Sequence, residues 1–166
     1  MTPAPYVSGS GGGTDRAGSR ALSIGMRQRP SETVSRVVIV SDDAVASGGA
    51  AAIMLASVRE LRRRNIPVTV LSGGGGQDPA LAALGVEVFD LGGRHLLEGP
   101  RLTAMTRGLY DAGVGGRLAG WIARHDAPGT IYHMHNWHKV LSPSAFRALS
   151  PVADRVVLHA HDFFLA

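Results

Sequence analysis

Two short stretches near the end of the chain hold the residues best suited to chemistry: Thr130 to His138 (TIYHMHNWH) and Arg155 to Asp162 (RVVLHAHD). Each is a strand-like run that ends in histidines. An imidazole can donate a ring N–H to an anion or hydroxyl, exchange a proton near neutrality, or ligate a metal. His133 and His135 are two apart, as are His159 and His161, so an extended chain sets each pair on one face. His138 stands close by. No HExxH spacing exists and Asp162 is the carboxylate adjoining these clusters, which argues against a metal site. The stronger expectation is an anionic or hydroxyl-rich ligand held through ring N–H groups. His133 and His159 read as strand-end residues satisfied by backbone, whereas His135 and His161, further out, read as cleft residues. His161 beside Asp162 could be an imidazole oriented by a carboxylate, although sequence neighbours often point apart. Serine hydrolysis is disfavoured because no GxSxG elbow is present.

A second constellation is Ser47-Gly48-Gly49-Ala50, between an aliphatic run and a helical pattern. Glycines there let a ligand approach the backbone, and the helix N-terminus offers N–H groups to an anion. The same residues equally suit a tight turn with no ligand. The loop is not GxGxxG, and Leu71 runs into Ser72 and four glycines where a dinucleotide site would place a ribose-binding carboxylate. This argues against an NAD-dependent oxidoreductase. Arg94, His95 and Glu98 lie in a Gly-rich loop that reads as plain surface.

The elements that must position these residues are legible from Arg36 onward. Val37 to Val40 is a continuous β-branched run, the pattern of a strand buried on both faces. Ala50 to Arg64 reads as a helix whose basic end suits its C-terminus, with Asn65 as cap. Pro67 to Leu71 is a second strand, Asp78 to Leu84 a short helix ended by Gly85, and Val86 to Phe89 a third strand. Pro100 to Arg124 reads as helical, interrupted at Gly113–Gly116. Thr130 to His133 is a fourth strand. Ser142 and Pro143 open a helix to about Leu149, as N-cap and first helical residue, and Arg155 to Leu158 is a fifth strand. Strands alternating with helices predict an α/β fold, a Rossmann-like doubly wound parallel sheet. Right-handed crossovers favour the order 3-2-1-4-5. That order makes strands 1 and 4 neighbours at the topological switch point. It brings the carboxyl ends of strands 1, 4 and 5, with their polar residues, to one sheet edge.

Residues 1–35 have no hydrophobic period, and Ser8 to Thr14 has flexible-linker composition, so a disordered leader is expected before a single domain over 36–166. The 45% hydrophobic and 18% charged content is that of a globular chain, and no cysteine exists to build a disulfide or thiolate site. The net charge is +4, with sixteen of seventeen basic residues arginine. They are spread along the chain apart from Arg62 to Arg64, and aromatics are only 5%, which argues against a nucleic-acid partner. A basic surface suits the approach of an anionic ligand or peripheral contact with a membrane. No run approaches the roughly 18 apolar residues of a membrane span, and a cytoplasmic location fits.

From Arg36 to Ala166 the chain resembles the N-terminal, acceptor-side domain of retaining GT-B glycosyltransferases of family 4. The resemblance lies in Val37 to Val40 followed by Gly48 and Gly49, in LGVEVFDLG from Leu84, in YHMHNWHKVLSPSAFRAL from Tyr132, and in VVLHAHDFF from Val156. It implies the incomplete first half of a GT-B fold, lacking the C-terminal donor domain. It implies transfer of a sugar from a nucleotide-sugar to a glycan or lipid-linked acceptor in polysaccharide biosynthesis. Under it, Gly48 and Gly49 lie against the donor phosphates or the acceptor. His161 is the catalytic residue that holds the leaving diphosphate and acceptor, with Asp162 beside it. His135, Trp137 and His138 line the acceptor side. Neither a cofactor nor a metal is implied. A transition state built between two domains is not stabilised by one, so no turnover is expected of the chain alone. A complementing C-terminal half is the implied partner. The competing expectation is a stand-alone or split binding or regulatory module completed by a partner chain.

Overall fold

The aliphatic run that opens the folded region becomes strand β1 (Arg36–Ser41), whose residues from Val37 onward are all buried. A computed structural model describes residues 33–45, 48–94 and 110–160. Within them follow α1 (Gly49–Arg63), β2 (Val68–Ser72), α2 (Pro79–Ala83), β3 (Glu87–Asp90), α3 (Ala112–His125), β4 (Thr130–Met134), α4 (Ser144–Leu149), a 3-10 turn (Ser150–Arg155) and β5 (Val156–Leu158). The five strands form one all-parallel sheet in the order β3-β2-β1-β4-β5, flanked by helices, a Rossmann-like α/β architecture.

The two faces of the sheet bury separate cores. On one, Val37, Ile39, Val68 and Val70 pack against Met54, Leu55 and Val58 of α1 and Leu81 of α2. On the other, Val38, Val40, Leu71, Tyr132 and Met134 pack against Leu118, Trp121 and Ile122 of α3 and Ala145 and Leu149 of α4. Successive strand residues alternate between these cores, which is why β1 and β2 read as continuous apolar runs. A fully buried aliphatic side chain such as Ile39 contributes about 1.5–3 kcal/mol.

Helix ends follow local chemistry. After α1 the chain turns through Asn65 at φ 59°, with the amide of Ile66 donating to Leu61 O at 3.0 Å. After α2 it turns through Gly85 at φ 63°, with Val86 donating to Leu81 O at 3.0 Å. Both are left-handed caps. Two expectations are corrected. Helix α3 is not interrupted at Gly113–Gly116: it runs unbroken from an Asp111 N-cap whose carboxylate accepts from Val114 N at 3.0 Å. Its Gly115 lies close against α4, where a Cβ would come within 2.8 Å of Ser144. Helix α4 begins at Ser144 with Pro143 at the cap position, one residue later than expected, while the Ser142 hydroxyl still accepts from Ser144 N at 3.3 Å. Ser142 takes φ 59°, and its hydroxyl accepts from Asp111 N at 2.8 Å, tying the start of α3 to the start of α4.

At the amino ends of the strands stands a polar clamp. Arg155, just before β5, makes a two-pronged ion pair with Asp126, just before β4, at 2.8 and 2.7 Å. The same guanidinium donates to the carbonyls of Ala127 and Thr130. The Tyr132 hydroxyl donates to Asp126 at 2.9 Å. The Arg155 hydrogen bonds hold the Asp126 carboxyl below its ordinary range, against the opposing effect of burial. Burial, then the bond to Asp126, pushes the Tyr132 phenol well above its ordinary value.

Candidate functional site

Three histidines meet at the carboxyl ends of β4 and β5. The ladder between these strands pairs His133 with Val157 and Met134 with Leu158. It continues one step further, because His159 N donates to Met134 O at 2.8 Å. His135 and His159 are therefore lateral neighbours, and His133 lies two residues back on the face of His135. The shared face is that of α1, since Ile131 packs into the α1/α2 core while Tyr132 and Met134 pack into the other. Ring centroids are 4.2 Å apart for His133 and His135, 5.0 Å for His135 and His159, and 5.7 Å for His133 and His159. One ring nitrogen of each lies within 4.8 Å of the others.

Burial within the trio differs from the sequence expectation. His135 is expected to be a cleft residue and His133 and His159 strand-end residues, yet His135 is only 2% exposed, whereas His133 and His159 are half-buried. The reason is tertiary. His135 N donates to Val40 O at 2.9 Å, continuing the β1–β4 ladder, and the chain beyond it folds back over the end of β1. Asp42 secures that return. Its fully buried carboxylate accepts the amides of Lys139, Val140 and Leu141, each at 2.9 Å. Three N–H groups converging on one carboxylate form a charge-assisted anchor. Sequence reading passed over Asp42. Its signal was an acidic residue directly after the aliphatic strand, where a loop must be held down.

The glycines after β2 and β3 serve the same return. A Cβ at Gly73 would touch Leu141 at 3.0 Å, and one at Gly93 would meet Val140 at 2.5 Å and Gly73 O at 2.6 Å. This segment closes the α3/α4 side of the β1–β4 switch point with the chain's own residues. Gly48 and Gly49 differ: a Cβ at either has no neighbour within 4 Å. Gly48 is the N-cap of α1 at φ 170°, extended backbone that any residue adopts, with no side-chain cap and no acidic residue in the first turn. Neither close packing nor conformation demands glycine there, and the 15-residue helix presents its positive end openly.

The predicted site residues do not all converge. Trp137 leaves the histidine face and packs edge-on against Phe146 of α4 at 4.9 Å, with His138 edge-on to Trp137 at 6.5 Å. His161 and Asp162 lie outside the described residues, as do Ser47, His95, Glu98 and the leader up to position 32. Among the described residues, no helix is long and apolar enough to cross a membrane. Comparison with protein-family models, with curated proteins and with solved structures finds no match.

Proposed function

We propose that this chain is the acceptor-side α/β domain of a sugar transferase that uses a nucleotide-sugar donor and a glycan or lipid-linked acceptor. One observation carries the reading. The uncapped N-terminus of α1 and the imidazoles of β4 and β5 occupy the carboxyl edge of a doubly wound sheet, beside the β1–β4 switch point. Ligands of such sheets bind there. In this reading the amides at Gly48 and Gly49 receive the donor diphosphate through the helix dipole. The half-buried His133 and His159 face the cleft, and the buried His135 backs them. His161, with Asp162, holds the leaving diphosphate near the acceptor hydroxyl. Trp137 and His138 border the acceptor on the α4 side. Bond exchange at the anomeric carbon is completed by a donor-side half.

Gly48→Asp tests this. The open space at Gly48 admits the side chain, and an aspartate N-cap stabilises α1 by a few tenths of a kcal/mol, about 0.5, over glycine. The same carboxylate repels a diphosphate. A nucleoside diphosphate titrated into the wild-type chain is expected to shift the amide NMR signals of Gly49 to Ala51, and Gly48→Asp to abolish those shifts while raising Tm. Wild-type spectra unmoved at millimolar nucleotide overturn the reading.

The second reading, a module completed by a partner chain, has one observation in its favour. β5 ends the sheet order, and its Val157 and Leu158 are 49% and 42% exposed on opposite faces. Apolar edge strands invite pairing. Stable co-purification of a partner that protects the β5 amides from exchange, without any nucleotide effect, would favour it.

A further inference from the structure

We propose that His133, His135 and His159 form a three-imidazole site for a borderline divalent transition-metal cation, of the Zn2+, Co2+ or Ni2+ class. The convergence is set by backbone as well as by rotamers. Parallel register aligns His135 with His159, and the two-residue strand period places His133 on the same face. One nitrogen from each ring already lies within 4.8 Å of the other two. Metal–nitrogen bonds of about 2.0–2.1 Å in tetrahedral geometry place ligand nitrogens about 3.4 Å apart. Closing the trio requires each separation to shorten by at most about 1.4 Å, within the range of small side-chain rotations.

The donor set selects the class of ion. Imidazole nitrogen suits zinc, cobalt, nickel and copper, whereas calcium and magnesium require oxygen ligands. The one fully buried carboxylate among the described residues, Asp42, is engaged by three backbone amides. The chain has no cysteine, so a closed thiolate site is excluded. Three histidines leave a fourth position to water or an anion, the arrangement of an open rather than a structural site. Support is unequal, as a site accessible from one side requires. His135 is 2% exposed and pinned by its amide to β1, while His133 and His159 are half-buried at the rim. Level with His135 stand Ser41 of β1 and Ser72 of β2, but level with His133 the equivalent positions, Ile39 of β1 and Val70 of β2, are aliphatic. A packed interior alone would favour that chemistry here too.

The inference stands apart from the transferase reading, and its test uses no nucleotide. The untagged full chain, stripped with chelator, is titrated with Co2+ and followed by visible absorption, then displaced with Zn2+. Expected are ligand-field bands of a nitrogen-ligated cobalt saturating at one ion per chain, and a Zn2+-dependent rise in Tm. His159→Ala and His133→Ala, at half-buried rim positions, each weaken Zn2+ binding by more than about a hundredfold, beyond what supporting residues contribute. His138→Ala and Gly48→Asp leave it unchanged. Should either rim variant fail to fold, imidazole NMR of the wild-type chain decides: one equivalent of Zn2+ must shift the rings of all three histidines. Absence of cobalt bands at millimolar metal, unshifted rings, or undiminished binding in a folded His159→Ala chain overturns the site. Wild-type spectra unmoved by nucleotide, with Zn2+ binding intact, would remove the transferase reading and leave this one.

Discussion

Strand β4 begins and ends in polar clusters of opposite character. At its amino end, Arg155, Asp126 and Tyr132 form a closed clamp in which the chain supplies both the charge and the countercharge. At its carboxyl end, three imidazoles of one chemical type face each other, two of them half-buried. The first arrangement uses up its hydrogen-bonding directions in joining β4 to β5. The second places like groups together, which does little for a fold and much for a ligand. Polar residues at a sheet end therefore divide by complementarity: opposite partners mark a joint, and repeated identical donors mark a site.

The comparison is sharpened first at Asp42, where the carboxyl end has its own joint. Asp42→Ala orphans three amides in a buried place and is expected to cost about 3–5 kcal/mol in chemical denaturation. Asp42→Asn retains the oxygen that serves Val140 and Leu141 and should lose about half as much. If the alanine variant were as stable as wild type, the return over β1 would not depend on this anchor.

Next comes the clamp. Arg155→Ala removes the ion pair and two bonds to carbonyls and is expected to cost about 2 kcal/mol, a figure already reduced for the partial solvent exposure of both partners. Tyr132→Phe removes one neutral donor to Asp126 and should cost about 1 kcal/mol.

The clamp also predicts a pH dependence. An unfolded aspartate titrates near about 3.9, and the Asp126 carboxyl is held lower in the fold, chiefly by Arg155. Its stabilisation is therefore complete above the unfolded value and is lost as pH falls through the folded one. Urea midpoints measured from neutral to acid pH should show this loss in wild type and a shallower one in Arg155→Ala. Equal slopes would detach the clamp from acid stability.

The smallest effect is expected at the imidazoles. His133→Ala should change stability by less than about 1 kcal/mol, in keeping with a half-buried residue outside both apolar cores. A loss matching that of Arg155→Ala would make the trio a second structural joint and erase the contrast.

Much of this architecture is legible in the residues. The Val37 to Val40 run, the caps at Asn65 and Gly85, and the alternation of elements lead to the observed order, and with it to the meeting of β1, β4 and β5 at one edge. Other features have no local signal. Asp126 and Arg155 are 29 positions apart, and nothing near either names the other. The glycines of α3 suggest a break because glycine disfavours isolated helix. Only the approach of Ser144 to Gly115 shows what the absent side chain permits. Trp137 is set on the acceptor side by the resemblance alone, and only the return toward α4 shows that it packs against Phe146.

The sequence by itself determines the fold class, the strand order and the shared face of His133 and His135, because periodicity, caps and crossover handedness act over a few residues or through general chirality. Only the tertiary structure decides that His159 joins that pair, that His135 is the buried member, and that Asp42 holds the segment above it. Those outcomes depend on parallel register and on a chain return spanning almost a hundred residues, where hydrogen bonds between distant segments choose among alternatives that local chemistry leaves equal.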